Sequence, residues 1–173
     1  HILEEFSDKK LAVIQNEFVK TGIDGSILEK KELTIKEINR GSIFCSCLQL
    51  SFVDALAEMS KGDMEYLFVE SSGLADPSNI RDILKSVEVL AGDVYDFQGV
   101  ICLIDGVHFP KQVKDTETVD RQLKHCDVAI VNKMDLISEE QYTEVLSLIR
   151  EVNPHCLILH CENGRADLGF IRE

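Results

Sequence analysis

The sequence predicts a doubly wound α/β fold with a mainly parallel sheet, and two observations carry that prediction. Five short apolar runs recur along the chain: Leu11–Ile14, Tyr66–Val69, Val100–Ile104, Val128–Val131 and Leu157–Leu159. Each is continuous instead of alternating, the pattern expected of strands covered on both faces. Amphipathic stretches separate the runs, and repeated β–α alternation favours parallel pairing.

Taken in order, the elements have local signals of their own. Leu33–Ile38 alternates apolar and polar residues, so it reads as a strand nearer an edge. Asp76-Pro77 reads as a helix start, with aspartate as cap and proline at the first helical position. Residues 138–152 form the clearest helix: Ser138 and Gln141 stand in capping-box spacing, and Tyr142, Val145, Leu146, Ile149 and Val152 share one face. No linker, repeat or low-complexity stretch divides residues 1–173, which read as one domain.

Composition narrows the function classes. The 173 residues are 45% hydrophobic and 28% charged, apolar enough to bury a core. A net charge of -13 argues against nucleic acid and against docking on anionic membranes. The six cysteines are scattered in or beside apolar runs, and no secretory pattern opens the chain. Reduced thiols in a cytoplasmic protein are expected.

Two stretches carry chemistry. Val128–Val131 leads into Asn132-Lys133-Met134-Asp135, which puts an amide, an ammonium and a carboxylate at the carboxyl end of a strand. Ligands of open α/β sheets bind at such ends. Asp135 can accept hydrogen bonds from the ring N–H and exocyclic amine of guanine, the Lys133 stem can pack on the ring face, and Asn132 can tie the loop together. An ordinary polar strand-to-helix turn would use the same residue types. The second stretch, Glu70-Ser71-Ser72-Gly73-Leu74-Ala75-Asp76-Pro77, also follows an apolar run. Glu70 there can hold a hydrated Mg²⁺ or orient an attacking water, and Gly73 lets the backbone approach a γ-phosphate. The alternative is a Ser-Ser-Gly turn before a capped helix.

Together these stretches resemble the CobW-like P-loop GTPases, relatives of the HypB and UreG metal-insertion GTPases. Glu70–Pro77 is similar to the family's E-[ST]-[ST]-G-x-A-x-P signature, and Gln15-Asn16-Glu17-Phe18 to its E-N-E-F step. Gly22-Ile23-Asp24 matches G-x-D, Asp105–His108 matches D-x-x-H, and Gly164–Leu168 looks like the closing G-x-x-D-L step. The resemblance implies a P-loop GTPase fold and GTP hydrolysis to GDP with Mg²⁺. It also implies a metallochaperone or cofactor-assembly role in zinc or cobalt and cobalamin handling. The implied partners are a metal-requiring client protein or cofactor-pathway enzyme and, in the nucleotide state, a second copy of the chain. Carried over by position, Asn132, Lys133 and Asp135 bind guanine, Glu70 and Gly73 serve Mg²⁺, water and γ-phosphate, and Asp24 is a switch residue. Glu17, Cys45 and His108 fall near the family's metal site.

Three departures accompany the resemblance. No Gly-x-x-x-x-Gly-Lys-[Ser/Thr] loop is present, and His1-Ile2-Leu3 resembles the tail of the helix that follows that loop in the family. The expectation is a chain without its first strand and phosphate loop, inactive alone. The family's C-x-C-C aligns with Ser42-Ile43-Phe44-Cys45, although Cys47 follows at a spacing that puts two sulfurs on one side of an extended segment, suited to Zn²⁺ or Co²⁺. The sequence stops near the end of the GTPase-like portion, before the second domain common in the family. The alternative function is a degenerate GTPase-fold interaction protein with neither catalysis nor metal.

Overall fold

The computed structural model describes residues 2–16, 33–38, 49–162, 164–166 and 168–172. The chain divides into two compact units, one holding Ile2–Ala75 and Asn79–Asp96, the other Asp76–Ser78 and Phe97–Glu173.

In the first unit, helix α1 (Ile2–Glu5) precedes strands β1 (Leu11–Gln15), β2 (Leu33–Glu37) and β3 (Tyr66–Glu70). Helix α2 (Gln49–Met59) leads into β3, and α3 (Ile80–Ala91) follows it. The strands are parallel in the order β2-β1-β3, so the alternating segment is an edge strand as its pattern predicts. All of β1 is buried. Its Ala12 and Ile14 pack with Phe52, Leu56, Ile83 and Val87 of the two helices. Period-two geometry turns Leu11 and Val13 to the other face, the side of their register partners Tyr66 and Phe68. There the buried ring of Phe6 meets Tyr66 and Phe68 edge-on at 4.8 and 5.4 Å. The Tyr95 hydroxyl donates to the Leu56 carbonyl at 2.7 Å, tying the segment after α3 back to α2.

In the second unit, β4 (Ile101–Asp105), β5 (Val128–Asn132) and β6 (Leu157–His160) are parallel in sequence order. Helices α4 (Phe109–Asp115), α5 (Glu117–Lys124) and α6 (Glu139–Val152) alternate with them. Ala129 and Val131 of β5 join Phe109, Leu123, Val145 and Ile149 in the core. The capping box is formed: Ser138 Oγ accepts from the Gln141 N–H, and the Gln141 side chain accepts from the Ser138 N–H. Buried Asn153 then stitches α6 to its surroundings. Its amide donates to the Leu123 and Cys126 carbonyls, both at 2.9 Å, and its oxygen accepts from the N–H groups of His155 and Cys156.

Two expectations need correction. Double coverage holds for β1 and β5, the middle strands, but not for the outer ones: Leu103 is 75% exposed, Leu157 46% and Val69 37%. A continuous apolar run reports strand character, whereas burial depends on what lies alongside. The helix expected from Asp76-Pro77 begins as a 3₁₀ turn, Pro77–Asn79, with α3 starting at Ile80. Asp76 still acts as a cap, accepting from the Ser78 N–H at 3.0 Å, but it caps the 3₁₀ turn. Among the described residues no helix is long and apolar enough to cross a membrane.

Candidate nucleotide site

The polar corner of the second unit lies where β4 and β5 end together, because the register pairs Asp105 with Asn132. After Asn132 the chain turns through Lys133 at φ 62, ψ 34, the one left-handed residue other than glycine among the described residues. Few side chains tolerate that region, and such outliers concentrate at binding sites, where surrounding contacts over-determine them. Met134–Leu136 then form a 3₁₀ turn, and extended Ile137 leads to the Ser138 cap.

Contacts from two other loops set this turn. Asn132 Oδ1 accepts from the Gly164 N–H at 3.2 Å, and the Asn132 carbonyl accepts from the Gly106 N–H at 3.0 Å. Gly106 fits tightly: a Cβ there would lie 3.0 Å from the Asn132 carbonyl oxygen and 3.2 Å from Ile137 Cδ1. Beside Gly164, buried Cys161 donates its N–H to the Val131 carbonyl at 2.8 Å, and burial pushes its thiol pKa up.

Asp105 gathers the remaining contacts. Its Oδ2 accepts from Lys133 Nζ at 2.9 Å and lies 3.0 Å from His108 Nδ1. Its Oδ1 accepts from the Val107 N–H at 3.0 Å. Partial burial pushes this carboxyl up, but the Lys133, His108 and backbone hydrogen bonds outweigh burial and hold its pKa at about 2. Asp135 differs from all of these: it is exposed, and its carboxylate has no partner among the described residues.

The Glu70 corner of the first unit is built more sparsely. Glu70 is exposed, and its Oε2 accepts from the amide of buried Gln15 at 3.1 Å. The Asn16 N–H donates to the Glu70 carbonyl at 2.9 Å, and Asn16 Nδ2 donates to the Ile38 carbonyl at 2.9 Å, so three strand ends are stitched together. Ser72 Oγ is buried and has no hydrogen-bond partner among the described residues. A Cβ on Gly73 would meet nothing within 4 Å, so the local fold does not itself demand glycine. Farther along the motif, Asp76 of the second unit pairs with Arg121 at 3.1 Å.

The structure thus gathers Asn132, Lys133 and Asp135 in one loop, brings His108 beside Lys133 through Asp105, and gives Glu70 and Gly73 their own corner. Glu17, Asp24, Cys45 and Cys47 lie outside the described residues. Among those described, no group of three or more histidine, cysteine or acidic side chains could hold a metal ion. Asp105 and Gly106 fall within the D-x-x-H step, which by itself assigns neither a role. Their sequence signal is an aspartate-glycine pair directly after an apolar strand.

Comparison with known proteins agrees with this geometry. The profile of the family described as CobW/HypB/UreG, nucleotide-binding domain, matches residues 1–160. The chain is 33% identical to the zinc chaperone YjiA of Escherichia coli, over 99% of this chain and 54% of that protein. It is 30% identical to the zinc-regulated GTPase metalloprotein activator 1 of Saccharomyces cerevisiae, over 85% of this chain and 40% of that protein. The chain therefore spans about half the length of these relatives, or less. Its fold matches the crystal structure of Zn(II)-bound YjiA GTPase with a TM-score of 0.68 at 26% identity, covering 99% of this chain and 54% of that one. The hydrogenase maturation factor HypB from Archaeoglobus fulgidus shares the fold, with a TM-score of 0.60 at 14% identity over 98% of this chain and 77% of that one. The parallel α/β fold is thus of the P-loop GTPase type, and the chain belongs to the CobW/HypB/UreG nucleotide-binding family.

Proposed function

We propose that this chain is the nucleotide-binding part of a GTPase that acts as a metallochaperone, with zinc as its cargo and metal-requiring proteins as its clients. One observation carries the guanine reading: the Asp135 carboxylate stands exposed and unpartnered among the described residues, on a turn whose other polar groups are held. An ionised carboxylate is acceptor-only, so it selects a base edge that offers two adjacent N–H donors. Guanine offers that edge and adenine does not. The Lys133 stem would lie on the ring face, with Asn132 and Gly164 holding the loop.

Hydrolysis would draw on the other corner. A carboxylate oxygen of Glu70 not taken by Gln15, with the Ser72 hydroxyl that has no partner among the described residues, suits a hydrated Mg²⁺ or an attacking water. Bound Mg²⁺ would neutralise charge developing on the transferred phosphoryl group. Gln15 braces the Glu70 side chain, and Gly73, which carries no Cβ, leaves room for phosphate. Zinc as cargo is supported by what the relatives are and by the Cys45-x-Cys47 spacing, with His108 as a further ligand.

The decisive experiment is nucleotide binding by the full-length protein with Mg²⁺. GDP is expected to bind while ADP does not, and Asp135→Ala is expected to weaken GDP by roughly 100-fold, the loss of two hydrogen bonds to a charged group. Equal affinity for GDP and ADP, or an unaffected Asp135→Ala protein, would overturn the guanine reading. A Co²⁺ titration tests the cargo separately: a thiolate-to-metal absorption band lost in Cys45→Ser is expected, and no band removes the thiolate metal role.

A further inference from the structure

We propose that Asp105 is a positioning residue, one carboxylate that fixes both Lys133 at the base corner and the tautomer of His108. Its two oxygens divide the work. Oδ1 is anchored to the local backbone by the Val107 N–H at 3.0 Å and, more weakly, the His108 N–H at 3.4 Å. Oδ2 is thereby aimed at two side chains, Lys133 Nζ at 2.9 Å and His108 Nδ1 at 3.0 Å.

Each partner is changed by that contact. Lysine has large rotamer entropy, and a pinned Nζ removes much of it before any ligand arrives. With its backbone left-handed and its tip tied to β4, the Lys133 stem is held over the ends of β4 and β5, ready for a planar base. The carboxylate only accepts, so the imidazole must present Nδ1–H to it. In the neutral ring Nε2 then carries the lone pair, on a side chain that is 63% exposed. A carboxylate behind one ring nitrogen is the usual way to orient histidine when the other nitrogen serves as ligand or base. Because Lys133 and His108 share one oxygen, a ligand that shifts one changes the hydrogen bonding of the other.

The Lys133 half rests on the guanine reading above, whereas the His108 half stands on the contact alone, and the test separates them. GDP affinity is measured for the full-length protein, Asp105→Asn, Lys133→Ala and the double variant, with Asp135→Ala as reference. Asp105→Asn keeps the shape but puts an amide against two donors, and about a tenfold loss of GDP affinity is expected. In the Lys133→Ala background the same change is expected to cost nothing further; additive losses would overturn the Lys133 half. If Asp135→Ala abolishes GDP binding while Asp105→Asn leaves it intact, the Lys133 half falls and the guanine reading stands. If Asp135→Ala also has no effect, the guanine reading falls and takes the Lys133 half with it. The His108 tautomer is read by long-range ¹H–¹⁵N NMR in the unmodified protein, so it does not depend on a variant folding. The Nδ1–H form is expected there, with the preference lost in Asp105→Asn; an Nε2–H form in the unmodified protein would overturn the second half.

Discussion

The corners at Asn132 and at Glu70 are made from the same parts, an apolar strand, a polar turn and a helix start, yet they are held very differently. Asn132 ends a middle strand whose preceding residue, Val131, is fully buried, and its turn is braced from two other loops. Glu70 ends an outer strand whose preceding residue, Val69, is 37% exposed, and one amide braces its side chain. The Asn132 corner, proposed above to read the base, is thus prebuilt by the described residues. The Glu70 corner has, among the described residues, a buried hydroxyl without a partner and open space in front of a glycine.

The largest expected effects test the strands beneath the corners. Val131→Ala removes fully buried methyls and is expected to cost about 2 kcal/mol in urea unfolding. Val69→Ala on the outer strand is expected to cost under about 1 kcal/mol, since much of its surface is already in water. Equal losses would mean that the two strands are equally enclosed in the native protein, and the contrast would break.

Next come the glycines. Gly106→Ala forces a Cβ to 3.0 Å from the Asn132 carbonyl, and moving that backbone is expected to cost about 1–2 kcal/mol and to weaken GDP binding with it. Gly73→Ala meets no neighbour, so stability is expected to change by less than about 0.5 kcal/mol. Its effect is expected in GTP turnover, which falls if a phosphate approaches that backbone. A Gly73→Ala protein with unchanged turnover would remove Gly73 from the phosphate site.

How much of this was legible follows from the range of each signal. The strands, the parallel pairing, the edge position of Leu33–Ile38 and the capping box at Ser138 all come from local periodicity and short spacing, and the structure has them. The exposure of Leu103 and Val69 was not legible, because an apolar run carries no record of what lies beside it. Asp76-Pro77 signalled a helix start correctly in kind, but the distinction between a 3₁₀ turn and an α-helix depends on where the first i-to-i−4 bond closes. At the Asn132 corner, Asn132, Lys133 and Asp135 could be placed on one loop from the sequence. The roles of Asp105 and Gly106 could not, since they arise from pairing between strands 27 residues apart in register.

A smaller effect probes the Glu70 brace. Gln15→Ala removes the amide that donates to Oε2 and leaves Glu70 free to rotate. GTP turnover by the full-length protein is expected to fall about fivefold, on the scale of about 1 kcal/mol for one net hydrogen bond, with GDP affinity unchanged. A matching loss of GDP affinity would show that the two corners do not divide base reading from hydrolysis.

Effects silent at neutral pH lie at the ends of the pH scale, where each unit has its own sensitive group. Asp105 in the second unit has its pKa held down at about 2 by hydrogen bonds that outweigh partial burial. A depressed carboxyl contributes stability that is present above its ordinary value, near 4, and is lost as pH falls through about 2. Tyr95 in the first unit is pushed up to about 12 by burial, and its hydroxyl is committed to the Leu56 carbonyl. A raised phenol contributes stability that is present below its ordinary value of 10 and is lost as pH rises through about 12. Amide NMR separates the two. The Val107 N–H, which donates to Asp105, is expected to shift with a midpoint near 2 on acidification, while residues around Leu56 stay in place until the acid limb unfolds the chain. On the alkaline side the order reverses, with Leu56 and its neighbours moving as Tyr95 ionises and the Asn132 loop unaffected. A Val107 midpoint near 4 would mean that Lys133 and His108 do not hold the Asp105 carboxylate in solution, and the brace on the base corner would be weaker than its distances imply.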